Sequence, residues 1–224
     1  MLTPRLECIV EKVSADTAAD IGTDHAYVAI ELIRSGRARR VIAADVRKGP
    51  LEIARANIEK NNMSDRIDTR LGSGLSVLRH GECDTVIIAG MGGELISELI
   101  FAEEDISRNT KLILQPMNAQ YELRRKLLEN HFKILEEDIE CEGNRVYNII
   151  TAIDGNGMPF ERDIDYHIPP SLYTHRKFNA LYDKKHREFL KIIRGLENSK
   201  KCDEDKLCYY RERLSDLEKI KQVI

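Results

Sequence analysis

The stretch "ADIGTDHAYVAI", residues 19–30, ends an apolar strand in a tight turn and continues into a helix. In open parallel sheets, ligands lie beyond the carboxyl ends of the strands, where this turn is expected. A dinucleotide site would continue as G-x-G-x-x-G, so that backbone N–H groups hold a pyrophosphate. Here Asp24 occupies the position of the second glycine, and a carboxylate there would repel a pyrophosphate. The turn therefore argues against a dinucleotide and in favour of a positively charged ligand.

Apolar runs alternate with helical patterns on both sides of this turn, after an amphipathic opening helix at residues 5–13. Strands are expected at residues 17–21, 40–45, 67–71, 85–89 and 111–115, and helices at residues 28–34, 51–61, 94–100 and 122–130. This alternation predicts an α/β fold with a mainly parallel sheet that is covered on both faces.

Two more strands, residues 132–140 and 146–153, follow with only a turn between them, so they must run antiparallel to each other. A parallel sheet that ends in an antiparallel hairpin is typical of class I methyltransferases. The sequence therefore predicts their Rossmann-like, mostly parallel seven-stranded sheet.

The turn-rich segment "DGNGMPF", residues 154–160, marks a predicted boundary between a methyltransferase domain (1–153) and a C-terminal segment (154–224). Apolar residues then recur at helical spacing in two runs: Phe178, Leu181, Tyr182, Phe189, Ile192, Ile193 and Leu196, then Leu207, Tyr210, Leu214, Leu217 and Ile224. They predict an antiparallel, coiled-coil-like helical hairpin that either projects from the sheet or folds back on it. Its two apolar stripes are expected to pack on each other, and partner binding is the alternative.

Composition narrows the functional classes. No apolar run approaches the ~18 residues that span a bilayer, and no signal-peptide core precedes the first helix, so a cytoplasmic protein is expected. The five cysteines are scattered and no His, Cys or Asp cluster has ligand spacing, so neither disulfides nor a metal is expected. Residues 154–224 carry 15 Lys and Arg against 13 Asp and Glu in a chain of net charge −3, so a polyanion would contact this segment. The oligomeric state stays open, with a monomer as the working expectation.

Acidic residues end the first two strands. Asp20 precedes Gly22, and Asp45 follows 25 positions after Asp20, where an acceptor for ribose hydroxyls is expected. The alternative for Asp45 is the N-cap of the next helix. Carboxylates suit a ligand that carries a sulfonium and an ammonium group, which is S-adenosylmethionine. Ser73 and Gly74 follow the third strand and fit either an adenine slot or a plain turn.

Two further stretches follow later strands. In "IIAGMGGELI", residues 87–96, three glycines flank Met91 and bring backbone close to the cleft, unless they form a simple flexible turn. In "LILQPMNAQ", residues 112–120, Gln115 and Asn118 surround Pro116. A polar turn with proline at this position of class I methyltransferases presents acceptors to a target nitrogen.

The motifs "RLECIVEKV", "ADIGTDHAY", "DVRKGPLEIARANI", "AGMGGELI", "LILQP" and "RVYNIITA" together resemble the bacterial tRNA (adenine(22)-N1)-methyltransferases. The resemblance covers residues 5–153 in order and extends more loosely over the helical hairpin. It implies S-adenosylmethionine as methyl donor and tRNA as substrate.

The resemblance also implies a cofactor site, with Gly90 and Met91 where the methyl donor meets the base. The remaining cofactor-binding residues that it implies are Asp20, Gly22, Thr23, Asp24, His25, Asp45, Val46, Ser73 and Gly74. The chain departs from the pattern twice. Ser73 stands where an acidic residue is expected, and Met117 separates Pro116 from Asn118.

The expected reaction is an in-line transfer of the methyl group to adenine N1. This nitrogen has a free lone pair, so positioning rather than a strong base supplies most of the rate. Asp24 is the first candidate for electrostatic support near N6, or else it holds the turn. Tyr27 stacks on the base or begins the helix core, and Gln115 and Asn118 are the candidate acceptors. His25 is either a general base or a hydrogen-bonded turn residue.

RNA contact is expected at two basic segments, residues 34–40 and 174–187, unless these are solvated faces. Lys184 and Lys185 are the named candidates in the second segment. Two rival functions stay open at this point. One is an N-methyltransferase that acts on a substrate other than RNA, and the other is a non-catalytic RNA-binding module with a residual cofactor pocket.

Overall fold

A computed structural model describes residues 2–199 and 201–223 of the chain. Within that range seven strands form one sheet in the order β3-β2-β1-β4-β5-β7-β6. The strands are β1 (Ala15–Ile21), β2 (Ala38–Asp45), β3 (Ile67–Leu71), β4 (Thr85–Met91), β5 (Lys111–Pro116), β6 (Phe132–Glu142) and β7 (Arg145–Asp154). Neighbours among β1–β5 are parallel, whereas β7 is antiparallel to both β5 and β6. The predicted fold class is confirmed.

Nine helices lie within the described residues, and the longer ones lie where the sequence pattern predicts them. They are α1 (Pro4–Lys12), α2 (Tyr27–Arg34), α3 (Lys48–Lys60), α4 (Gly93–Ala102), α5 (Glu104–Ser107), α6 (Gln120–Glu129), α7 (Ile164–His167), α8 (Phe178–Glu197) and α9 (Glu204–Val223). Two 3₁₀ turns lie at Gly74–Val77 and Pro170–Leu172. The two four-residue helices and the 3₁₀ turns were not predicted, because one turn of helix is too short to show an apolar period.

The sheet is buried on both faces. On one face Ile87 and Ile113 pack in a cluster that includes residues of α1, α2 and α3. On the other face Ile88 and Leu112 pack in a cluster that includes residues of α4 and α6. Alternate residues of the central strands therefore serve opposite cores, which explains why β4 and β5 read as continuous apolar runs.

The strand order reverses between β1 and β4. From β1 the chain moves outward to β2 and β3, and it then returns to place β4 on the other side of β1. The two helical layers diverge at such a point and leave a crevice at the carboxyl ends of the strands. In this protein the crevice opens beyond Ile21 and Met91.

The C-terminal hairpin packs on the sheet as well as on itself. Leu217 of α9 and Leu181 of α8 belong to one cluster with Ile139 of β6 and Val146 of β7. The two stripes pack on each other as predicted, and the hairpin folds back on the antiparallel strand pair, which offers it a second apolar surface. Ile224, the last member of the predicted stripe, lies outside the described residues. A division at residue 153 stays a prediction.

A buried arginine forms an ion pair beside the sheet and also joins the C-terminal segment to it. Arg124 of α6 has no exposed side-chain surface, and its Nη2 lies 2.8 Å from Oε2 of Glu137 on β6. Its Nη1 donates to the carbonyl of Tyr166 in α7 at 2.9 Å. A fully buried guanidinium stabilises the fold only while all of its partners stay in place.

Replacing Arg124 by alanine should strand the Glu137 carboxylate in the core and destabilise the protein by about 3–5 kcal/mol. Arg125→Ala is the matched control, because Arg125 is half exposed and pairs with Glu129 one helical turn away. Such surface pairs contribute less than about 1 kcal/mol. Urea unfolding of both variants measures the difference, and equal losses would contradict the assigned role of the buried pair.

Candidate active site

A cavity of about 610 Å³ opens at the carboxyl ends of β1 to β4. It contains most of the residues that the sequence predicts for a cofactor site: Asp20, Gly22, Thr23, Asp24, His25, Tyr27, Asp45, Val46, Ser73, Gly74, Gly90 and Met91. The strand order places these groups along one edge, from Ser73 after β3 through Asp45 and Gly22 to Gly90 in β4. Three steps between neighbouring strands span about 14 Å, the scale of an elongated small molecule.

The turn after β1 has an unusual backbone. Gly22, Asp24 and Ala26 have φ values of +82°, +46° and +58°. A Cβ on Gly22 would collide with the end of the Met91 side chain. Positive φ is strained for Asp and Ala, and such strain is concentrated at functional sites. The turn thus holds its backbone close to the cavity.

Asp20 lies at the floor of the cavity and is 5% exposed. Its Oδ2 accepts a hydrogen bond of 2.7 Å from the Thr23 hydroxyl. Burial raises the pKa of Asp20 to about 6, and the nearby carboxylate of Asp45 contributes in the same direction. A carboxylate that is this poorly solvated favours a cationic ligand group.

Asp45 is also 5% exposed and lies at the end of the neighbouring strand. Its Oδ1 accepts a hydrogen bond of 2.8 Å from the backbone N–H of Arg47. Arg47, and not Asp45, is the N-cap residue of α3, so the N-cap alternative is wrong. The carboxylate instead helps to shape the turn that lines the cavity.

Asp24, His25 and Tyr27 form the rim. The Asp24 side chain is 58% exposed, and its Oδ2 lies 3.4 Å from Nε2 of His25. The His25 ring stacks on Tyr27 with centroids 5.3 Å apart. Tyr27 begins α2 but is 53% exposed, so it does not belong to the helix core. The left-handed backbone conformation at Asp24 directs its side chain to solvent.

Three glycines at and just after the end of β4 differ in their surroundings. Gly90 has a φ of +78° and lines the cavity. A Cβ on Gly92 would lie 2.9 Å from Oδ1 of Asn118, and one on Gly93 would collide with the backbone of Ala119. Only Gly90 therefore brings backbone to the ligand, whereas Gly92 and Gly93 permit α4 to pack against the turn after β5.

Gln115 and Asn118 do not line the cavity. Gln115 is fully buried, and its Oε1 accepts hydrogen bonds from Nη1 of Arg5 at 2.5 Å and from the N–H of Gly90 at 3.2 Å. Asn118 is exposed and lines a separate groove with Tyr121 and Lys184. Neither amide lines the cavity, because β5 ends one strand beyond it, and their role as acceptors for a target nitrogen stays a prediction.

Three residues of α1 and the turn before it were missed by sequence reasoning. Thr3, Arg5 and Leu6 line the cavity on the side of β4. Arg5 reads as one polar position of an amphipathic helix, and its contact with Gln115 joins residues 110 positions apart. No local pattern carries that information.

Comparisons with known proteins agree with this geometry. A family profile described as a methyltransferase domain matches residues 2–150. The chain belongs to the methyltransferase-domain family.

Individual relatives give finer detail. The chain is 33% identical over 157 residues to the tRNA (adenine(22)-N(1))-methyltransferase of Bacillus subtilis, an alignment that covers 69% of the chain and 66% of that relative. The solved B. subtilis m1A22 tRNA methyltransferase TrmK superposes with a TM-score of 0.86 at 26% identity, covering 98% of each chain. A Streptococcus pneumoniae protein, Sp1610, in complex with S-adenosyl-L-methionine superposes with a TM-score of 0.85 at 28% identity, covering 98% of this chain and 99% of Sp1610. The resemblance predicted from the motifs is confirmed.

The two basic segments of this methyltransferase lie in different places. Residues 34–40 lie at the start of β2, about 23 Å along the strand from the cavity, and Arg39 there pairs with Asp16. In the second segment Lys185 is 7% exposed and donates to Glu188. Lys184 donates to the carbonyl of Val146 at 3.0 Å, and burial lowers its pKa. The expectation that Lys184 and Lys185 are free for RNA is therefore wrong, because both are used within the protein.

Two negative findings concern the part of the chain that the structure describes. There, no group of three or more His, Cys, Asp or Glu side chains is arranged to hold a metal ion. In residues 2–199 and 201–223 no helix is both long and apolar enough to span a bilayer.

Burial raises the pKa of Asp20 to about 6. At neutral pH the negative charge of Asp20 therefore destabilises the folded, ligand-free protein. A raised acid pKa contributes stability that is present below about pH 4 and is lost as the pH rises through 6. Asp20→Asn should therefore increase the free energy of unfolding by about 1–3 kcal/mol at pH 7.5 and leave it nearly unchanged at pH 4. Urea unfolding at the two pH values checks this, with the exposed Asp24→Asn as control. A gain that is equal at both pH values would contradict the assignment.

Proposed function

We propose that the protein transfers a methyl group from S-adenosyl-L-methionine to N1 of adenine 22 in tRNA. The observation that carries the proposal is the cavity at the reversal between β1 and β4, with the two buried carboxylates of Asp20 and Asp45 at its floor. The near full-length structural agreement with TrmK of B. subtilis supports the same acceptor. A tRNA acceptor is consistent with the expected cytoplasmic location.

The lining residues fit this cofactor. A volume of about 610 Å³ falls within the usual range for small-molecule sites, about 300–1,000 Å³. Asp20 is a buried carboxylate whose only side-chain hydrogen bond among the described residues comes from a neutral hydroxyl. It therefore favours the ammonium or sulfonium charge of the donor. When bound, S-adenosyl-L-methionine supplies an electrophilic methyl group.

Several predicted cofactor residues have a proposed role that follows from their place at the ends of the strands. Asp45 accepts hydrogen bonds from ribose hydroxyls, and Val46, which is 64% exposed, offers an apolar surface to the adenine beside Ser73 and Gly74. Thr23 holds the Asp20 carboxylate. In addition, Gly22 brings the backbone of the turn close to the amino-acid portion.

The rim and Gly90 are proposed to receive the target base. Adenine N1 needs no deprotonation, so the side chains serve to position it. Tyr27 and His25 form an exposed stacked pair on which a base can continue the stack. Asp24 lies beside them and offers a carboxylate to the N6 amino group, which must lose a proton after methylation. Gln115 acts through Gly90, whose N–H it holds at 3.2 Å.

The C-terminal segment, residues 154–224, is proposed to carry RNA contacts. Arg176 is 79% exposed and lies 3.9 Å from Glu140 of β6, two residues before Glu142, which contacts Arg5 beside the cavity. A basic group at this edge can bind the tRNA backbone while the base enters the cavity. Unstacking the target base costs a few kcal/mol, which phosphate contacts must offset.

Incubation of unmodified tRNA with labelled methyl donor, followed by nucleoside mass spectrometry, should yield 1-methyladenosine at position 22. Asp45→Ala should weaken S-adenosyl-L-methionine binding by about 10- to 100-fold, because a buried carboxylate acceptor is lost. Asp16→Ala is the control, because Asp16 lies at the amino end of β1, away from the cavity, and its side chain is 64% exposed. Methylation of a protein or small molecule but not of tRNA would overturn the acceptor. Absence of donor binding by the wild type would overturn the proposal as a whole.

Arg176→Ala should raise the Kd for tRNA and lower the slope of log Kd against log salt by about one. Affinity for S-adenosyl-L-methionine should not change. Arg125→Ala removes a half-exposed arginine that lies outside both basic segments and should change neither quantity. Filter binding across a salt series measures both variants. Equal effects of the two substitutions would show a general charge effect and exclude a specific contact at Arg176.

A further inference from the structure

A groove of about 400 Å³ lies beside the cavity, between the start of α6 and the C-terminal hairpin. The cavity and the groove meet at the ends of β4 and β5. Met91 lines the cavity and Met117 lines the groove, and the N–H of Met117 donates to the carbonyl of Met91 at 2.8 Å. Neighbouring strands are about 4.8 Å apart, so a nucleotide chain that places one base in the cavity can place an adjacent base in the groove.

Aromatic rings from three helices line this groove. The rings of Tyr121 on α6 and His167 on α7 stack with centroids 4.5 Å apart, and Phe189 of α8 meets the His167 ring edge-on at 5.0 Å. Tyr121 and His167 are half-buried. The Tyr121 hydroxyl donates to Oδ1 of Asp163 at 2.6 Å, which fixes the orientation of the ring. A fixed aromatic surface of this kind binds a nucleobase by stacking.

The charges that line the groove cancel. Two lysines, Lys184 and Lys185, and two glutamates, Glu122 and Glu188, contribute to its walls. Lys185 pairs with Glu188 at 2.9 Å, and Lys184 donates to a backbone carbonyl of β7. Burial lowers the pKa of His167 to about 3, so the imidazole is neutral. A groove without net charge offers little attraction to a phosphate, whereas its neutral polar groups and rings suit a base.

Asn118 supplies a neutral hydrogen-bonding side chain to the groove. Asn118 is exposed, and its backbone carbonyl accepts a hydrogen bond of 3.1 Å from the N–H of Gly93, which ties the turn after β5 to the start of α4. The next residue, Ala119, has a φ of +50°, a strained conformation for alanine. A side-chain amide carries donors and an acceptor, so it can pair with the edge of a base that is stacked nearby.

We propose that this groove binds the base of a nucleotide adjacent to the target adenine in tRNA. The inference rests on the proposed function. The adjacent base stacks on the rings of Tyr121 and His167, and the Asn118 amide hydrogen bonds to its edge. The turn after β5 then lies between the two bases and keeps the target adenine unstacked from its neighbour. Stacking on the protein offsets part of the cost of that separation.

Two substitutions at one position separate stacking from support of Asp163. Tyr121→Leu and Tyr121→Phe both remove the hydroxyl that donates to Asp163, but only Tyr121→Leu removes the ring. Tyr121→Leu should raise the Kd for tRNA by about 5- to 150-fold, the range for loss of one stacked base. Tyr121→Phe should retain most of the wild-type affinity. Filter binding measures both variants, and an unchanged affinity for S-adenosyl-L-methionine shows that the fold is intact.

Two tRNAs, each lacking the base on one side of adenine 22, identify the bound nucleotide. One of them should bind Tyr121→Leu and the wild type equally, because the stacking partner is already missing. In intact tRNA, Tyr121→Leu should leave the slope of log Kd against log salt unchanged, since no phosphate contact is lost.

Three results would overturn the proposal. They are an equal effect, or none, of Tyr121→Leu and Tyr121→Phe, a loss in Tyr121→Leu that persists with both abasic tRNAs, and a reduced salt slope in Tyr121→Leu. Each of them leaves the proposed function intact. If the wild type neither binds nor methylates tRNA, the proposed function itself fails.

Discussion

Two buried carboxylates at the ends of neighbouring strands are the constraint on which this site depends. Asp20 and Asp45 are each 5% exposed, and both line the cavity. Burying such charges opposes folding unless something positive offsets them. Burial of these two carboxylates therefore destabilises the ligand-free protein, and a bound cationic group would offset that cost. This is the usual relation between a functional site and the stability of its scaffold.

The strained turn after β1 serves the same constraint. Three residues with positive φ within five positions bring the backbone around Asp20, so that the Thr23 hydroxyl reaches its carboxylate. Glycine at all three positions would relieve the strain but would lose the side chains of Asp24 and Ala26. The structure instead keeps a carboxylate at the rim and a buried methyl group under α2.

The parts of this molecule that could be predicted from sequence are those in which neighbours along the chain decide the outcome. The periods of apolar residues predicted the strands and helices of the sheet, and the acidic residues at the ends of β1 and β2 predicted the floor of the cavity. The parts that could not be predicted depend on side-chain contacts that the sequence pattern does not show, some of them between distant segments and some within one helix. Gln115 was expected at the target base because it ends a strand, but Arg5 and Gly90 occupy its carbonyl oxygen. Lys184 and Lys185 were expected to contact RNA. In the structure Lys184 donates to the carbonyl of Val146, and Lys185 donates to the side chain of Glu188.

The antiparallel end of the sheet explains how a small helical hairpin can act together with the cavity. β6 runs parallel to β5, so its last residues reach the same edge as the cavity, where Glu142 accepts a hydrogen bond from the backbone of Arg5. The other side of this strand pair carries Ile139 and Val146, which share a core with α8 and α9. A rigid element thus joins the hairpin to the wall of the cavity. Under the proposed function, tRNA held by the hairpin would be oriented relative to the methyl donor through β6 and β7, without a flexible linker between binding and chemistry.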